Sequence, residues 1–345
     1  MSQFKQYIGI AGAAALAFTA VPVTTSTAPN SRTASQGACP WIQEPAGVPP
    51  SMSTGFLYGV TVASPKLAWA VGSYYNSATS SHGSLIEKWT GGASWSVVGT
   101  GGANAQLTAV ISFGASKAFA VGSVGNHALV STWDGSTWNR TKLPAGGELY
   151  DVSGSSAANV WASGNIGGTQ MLLEHFDGAS WSRVIIPANL HPVGDSFHVL
   201  VLSPTDVWVD GATQTGTPIW KYNGSTWAVV TSPIDGPMIG RSDSNIWAVD
   251  ANGNTVVHWN GDTWSQLGDA ISGLTYDLAL GEGGVWSVGA VYPSNDISIA
   301  KNGETVRVPV VHASLNGVAA GFGLTFAVGG ESQAPYQPVA FERCI

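Results

Sequence analysis

Three side chains stand out as candidates for acid–base or ligand chemistry in a chain whose residues are only 10% charged. Asp151 and Asp277 lie in the apolar runs LYDVSG and TYDLAL, and His198 lies in FHVLVL. Carboxylates and an imidazole brought together could exchange protons or hold a cation. No Asp/Glu/His cluster with metal-ligand spacing accompanies them, and no G-x-S-x-G, HExxH or phosphate-loop motif occurs. No cofactor is therefore expected. The second candidate chemistry is recognition by tyrosine, whose ring and hydroxyl contact sugars or peptides at low entropic cost. Tyr58, Tyr74, Tyr75, Tyr150, Tyr276, Tyr292 and Tyr336 are the tyrosines in question; Tyr7 and Tyr222 are accounted for below.

What must position these residues is a repeat. The phrase LAWAVG (67–72) returns as AFAVG, VWASG, VWVDG, IWAVD, VWSVG and TFAVG. Its aromatic falls at Trp69, Phe119, Trp161, Trp208, Trp247, Trp286 and Phe326, at intervals of 39–50 residues. A spacing near 40 fits one four-stranded propeller blade, and seven copies fit a ring of seven. A second phrase follows five of them: TGGASW, DGSTW, DGASW, NGSTW and NGDTW. Asp or Asn before Gly supplies the positive-φ residues of a tight hairpin turn. An aromatic precedes each of these turns: Trp89, Trp133, Phe176, Tyr222 and Trp259. In the sixth copy, KNGETV, Val306 replaces the Trp after the turn.

Period-two alternation divides each copy into four strands. Strand A is a run such as LYGVTV (57–62), strand B carries the WAVG phrase, and strands C and D flank the Gly turn. The fold class is therefore all-β, a seven-bladed propeller of antiparallel four-stranded blades. Tyr58, Tyr150 and Tyr276 fall at the start of strand A, where His198 takes the same place as Tyr58; Tyr74, Tyr75, Tyr292 and Tyr336 fall in B–C loops. Both places share one face of the disc, around the mouth of the central channel that Asp151 and Asp277 line. The B–C loop of blade 1, SYYNSATSSHGS (73–84), is the longest of its class. The tryptophans, by contrast, occupy aligned repeat positions, save Trp220 two residues from one on the same strand face, and read as packing between blades.

The seventh copy stops after PVAFERC (338–344), short of a strand D. CPWIQEP (39–45) has the form of that strand, with Trp41 in the aromatic place, so the N-terminal strand completes the last blade and removes an open edge. Cys39 and Cys344 then lie on neighbouring strands. In an exported chain an even pair invites a disulfide, and closing a loop of about 300 residues adds roughly 4–5 kcal/mol at most. A lipoprotein cysteine at Cys39 is disfavoured, because Gln36 stands where an aliphatic residue belongs and Cys39 lies far beyond the apolar leader. Residues 1–21 form a signal-peptide core, with Lys5 ahead of the apolar stretch Tyr7 to Val21. Residues 22–38 are a Thr/Ser/Ala/Pro-rich leader, and 39–345 a single propeller domain that is secreted.

The WAVG…WDGxxW pattern over 39–345 resembles secreted bacterial β-propeller repeat proteins, a group set loosely beside galactose-oxidase and kelch propellers. The resemblance implies the fold and no particular activity. The turn phrase is also similar to the sialidase Asp box: Ser131, Gly135 and Trp138 match its spacing, but Trp133 stands where its Asp belongs, so sialidase catalysis is not implied. Net charge is −8 with no basic run, which excludes nucleic acid as a partner, and no segment beyond the leader could insert in a membrane. These residues point to a binding module for an extracellular glycan, cell-wall polymer or protein. A polysaccharide-acting enzyme using Asp151, Asp277 and His198, or a scaffold without a small ligand, are the alternatives.

Overall fold

The computed structural model describes residues 40–345 except 48, 50, 51, 103, 169, 188–197, 212–217, 231, 271–272, 292–293, 295, 307–311, 334–335 and 345, and the backbone alone of 100, 145 and 344. The leader, Cys39, Tyr292 and the side chain of Cys344 lie outside this set.

Seven antiparallel four-stranded sheets form, and no helix occurs among the described residues. The innermost strands A are Thr54–Ser64, Ala105–Ser112, Glu148–Ser156, Val199–Ser203, Ile234–Ser242, Leu274–Gly281 and Ala313–Gly321. Each packs beside the next, and the seventh packs beside the first, closing the ring. In the seventh blade the order runs Ile42–Glu44, Pro338–Cys344, Leu324–Glu331, Ala313–Gly321, with Ile42 opposite Glu342 and Glu44 opposite Ala340. The N-terminal strand thus supplies strand D of the last blade.

Aromatic rings join most blades to the one before. The strand D tryptophan lies against the strand B aromatic of the preceding blade: Trp138 on Trp69 at 5.2 Å, Trp181 on Phe119 at 6.0 Å, and Trp227 on Trp161 at 6.2 Å. The same contact crosses the seam twice, as Trp95 on Phe326 at 5.3 Å and Trp41 on Trp286 at 5.5 Å. These pairs are edge-on, the geometry that the ring quadrupoles favour. A cation or imidazole covers several of the same rings from the facing strand C. Lys221 sits 4.6 Å from Trp208 and Lys301 5.2 Å from Trp286, while His175 and His258 lie on Trp161 and Trp247 at 4.5 and 4.8 Å. The tryptophans are the mortar of the ring.

The turns between strands C and D work differently from expectation. Gly135, Gly178, Gly224 and Gly261 take φ of 93–101°, but the Asp or Asn before each has no positive φ. Its side chain instead caps the turn: Asp134 Oδ1 accepts from the Ser136 and Thr137 N–H groups, both at 2.8 Å, and Asn223 Oδ1 does the same for Ser225 and Thr226. Such bonds, from Thr137 and Ser136 to Asp134 and from Ser180 and Ala179 to Asp177, hold both exposed carboxyls below their usual range. Only Asn302–Gly303 uses two positive φ values, 53° and 79°.

Candidate functional site

Strand register fixes which residues share a level in the channel. The residues opposite the strand B aromatics are Thr61, Ile111, Ser153, Leu200, Ile239, Ala279 and Ala319. Two residues earlier come Gly59, Ala109, Asp151, His198, Pro237, Asp277 and Gly317. Asp151, His198 and Asp277 therefore stand at one level. His198 is not at the level of Tyr58; its carbonyl accepts from Asp210 N–H, and Asp210 is the register equivalent of Val71 and Val328. The sequence comparison misplaced it by one residue, because strand A carries an extra residue there.

That extra residue is a bulge, repeated in five blades between Leu57 and Gly59, Leu107 and Ala109, Leu149 and Asp151, Thr275 and Asp277, and Leu315 and Gly317. The bulged residues are Tyr58, Thr108, Tyr150, Tyr276 and Asn316. A bulge re-aims its side chain out of the regular alternation. Where the residue is small and polar it ties blades together: Thr108 Oγ1 donates toward Leu149 O (2.8 Å), and Asn316 Nδ2 toward Leu57 O (3.0 Å). Where it is tyrosine, the hydroxyl of two of the three finds a partner within its own blade. Ser73 Oγ donates to Tyr58 Oη at 3.3 Å, and Tyr150 Oη donates to Glu148 Oε2 at 3.4 Å. Burial raises the Tyr58 phenol above its ordinary value, and the Ser73 bond offsets part of this.

The two channel aspartates perform one task in two places. Asp151 accepts from its own neighbour Val152 N–H (2.7 Å) and from Val199 N–H of the next blade (3.0 Å). Asp277 accepts from Leu278 and from Val318 of the next blade, both at 2.8 Å. Each is a staple between innermost strands. Burial pushes Asp277 up to about 7 despite those two bonds, with the Asp151 charge adding to the rise. Burial likewise raises Asp151, opposed by the His198 charge and its backbone bonds. His198 Nδ1 lies 3.0 Å from Asp210 Oδ2, and Asp210 is almost fully buried. Burial alone would depress the imidazole, but Asp210 by charge and hydrogen bond, then Asp151 and Asp235 by charge, lift it to about 9. His198 is thus a cation at neutral pH. Among the described residues no group of three or more His, Cys, Asp or Glu could hold a metal ion.

The channel is lopsided. Blades 3, 4 and 6 carry Asp151, His198 and Asp277, whereas blades 7, 1 and 2 carry Gly317, Gly59 and Ala109 at the same level. A Cβ at Gly317 would stand 2.8 Å from Tyr58 O, so those strands approach through their backbones.

On the face above, the expected long loop of blade 1 is mostly a hairpin extension. Strands Leu67–Asn76 and Ser81–Trp89 pair to their tips, with Tyr74 opposite Gly83 and Tyr75 opposite His82. The Tyr75 and His82 rings meet at 4.8 Å. Tyr74 packs into the core of blade 1 and belongs to the framework. Tyr336 is exposed at φ 54°, and its carbonyl accepts from Gly55 N–H at the start of strand A (2.8 Å). Tyr58, Tyr150 and Tyr276 thus stand at bulges near the start of their strands A, Tyr75 near the tip of the blade 1 hairpin, and Tyr336 beside the start of the blade 1 strand A. Sequence reasoning missed Asp210, which replaces an apolar residue in VWVDG.

The class that fold and channel define is the seven-bladed β-propeller. No protein family model matches the sequence, and no curated protein matches it. Among solved structures the chain is similar to a catalytically inactive virginiamycin B lyase from Staphylococcus aureus with quinupristin, at 11% identity and TM-score 0.65 over 88% of this chain and 100% of that one. It is also similar to YCF48 bound to D1 peptide (15%, TM-score 0.58, 90% and 98%) and to the WD40 repeats of RRP9 (10%, TM-score 0.63, 90% and 99%). At these identities the likeness is one of fold.

Proposed function

We propose that this chain is an exported propeller module that binds an extracellular glycan, cell-wall polymer or protein at the channel mouth. The observation that supports the reading is the bulge: three of the five bulged residues are tyrosines, and Tyr75 stands near the tip of the blade 1 hairpin. Loops and strand ends on a rigid scaffold are where propellers place recognition. YCF48, a similar fold, holds a peptide, which supports protein among the partner classes.

The raised Asp277 and Asp151 and the charged His198 favour a second reading, catalysis on a polysaccharide in the channel. Against it, both oxygens of each aspartate are already engaged by backbone N–H groups. Glycan and peptide arrays, with hydrolysis assays on the same polymers, separate the two. Tyr75→Ala and Tyr276→Ala are each expected to weaken the ligand found by roughly tenfold or more with the melting temperature little changed. Turnover that Asp151→Asn or Asp277→Asn abolishes would establish the enzyme instead.

A further inference from the structure

The opposite face of the disc, formed by the A–B turns, carries one residue the fold does not explain. The first corner residue of these turns is Pro65, Ala115, Ala157, Pro204, Asp243 or Glu282 in six blades and Phe322 in the seventh. Phe322 is 62% exposed and sits at φ 54°, a left-handed conformation that suits Asn or Gly and strains a bulky side chain. It borders a shallow hollow shared by blades 5, 6 and 7, with Leu280 and Leu324 in the wall and Arg241 and Glu282 at the lip. Both charged residues are exposed, and neither forms an ion pair among the described residues.

We infer that this face docks a second copy of the chain, Phe322 covering apolar surface of the hollow and Arg241 of each copy facing Glu282 of the other. The charges choose the occupant. A partner of one sign would satisfy one lip residue and repel the other, whereas a two-fold axis satisfies both twice over. Large exposed aromatics and arginines are the residues that anchor such contacts. Joined back to back, the two copies would turn their tyrosine faces outward, giving a bivalent particle whose avidity exceeds that of one site. The inference does not depend on what the tyrosine face binds.

Sedimentation velocity on the intact chain, up to about 0.5 mM, tests it. A reversible dimer is expected for the wild type. Phe322→Asn should weaken it by at least roughly tenfold without lowering the melting temperature, because asparagine relieves the turn. Arg241→Glu and Glu282→Arg should each weaken it similarly, and the combined swap should restore it. A wild type that stays monomeric, a dimer indifferent to Phe322→Asn, or a swap that fails to restore association would each overturn the inference.

Discussion

Replacing Trp41 with alanine should lower the stability of the ring by about 4 kcal/mol, in the range of buried tryptophan truncations. The strand that carries it pairs over only three residues, Ile42–Glu44. Its hold on the last blade rests on the Trp41 ring, which is 4% exposed and packs among Trp286, Ile297, Ile299 and Phe341. Ile42, 40% exposed on the same strand, is the control, and Ile42→Ala should change stability by under roughly 0.5 kcal/mol. Denaturant unfolding reads both; equal effects would mean that Trp41 does not close the seam. If Cys39 and Cys344 are bonded as their places in the sequence suggest, reduction should weaken the same joint further, and mass spectrometry of the alkylated protein would find no free thiol beforehand.

Stability should also fall as pH rises from mildly acidic to alkaline, and Glu87 should contribute much of the fall. Glu87 is fully buried in strand C of blade 1, where Oε2 accepts from Gly47 N–H at 2.7 Å and Oε1 has no partner. Burial is the larger influence and lifts it from 4.5 to about 7, with the Gly47 bond opposing. The folded chain therefore keeps a proton that the unfolded chain has lost above 4.5. The resulting destabilisation grows from pH 4.5 to 7 and is complete above 7, at roughly 3 kcal/mol. Glu87→Gln keeps an acceptor for Gly47 and cannot ionise. It should stabilise the protein by most of that amount at pH 8 and scarcely at pH 4; an effect equal at both would refute the assignment. Glu174, raised by burial to about 6, and Asp277, at about 7, act in the same direction. His198 adds to the trend, since its stabilisation is whole below 6.5 and is lost as pH passes 9.

The residues that announce the fold are those whose role is local. Each strand B aromatic is read from its own phrase, and Trp41 was legible as a strand D residue because it stands where Trp95 and Trp138 stand in theirs. The residues that were misread depend on distant partners or on register. The Asp151 and Asp277 staples reach Val199 and Val318, 48 and 41 residues on, and nothing near either aspartate names that partner. His198 was displaced one level because a bulge adds a residue without altering composition. Asn223–Gly224 and Asn302–Gly303 have the same letters but fold as a side-chain-capped turn and a doubly positive-φ turn, a choice the flanking pairing makes. The tyrosines of strand A were legible as residues near the start of that strand, because which end of a strand they occupy follows from strand order alone.

Hydrogen exchange of the chain with and without the tightest ligand from the arrays bears most directly on recognition at the channel mouth. Binding there requires slowed exchange at 54–58, 74–82, 148–151 and 275–277, the segments that carry Tyr58, Tyr75, Tyr150 and Tyr276. Protection confined to the outer strands D, or to the turns around Phe322, would contradict it.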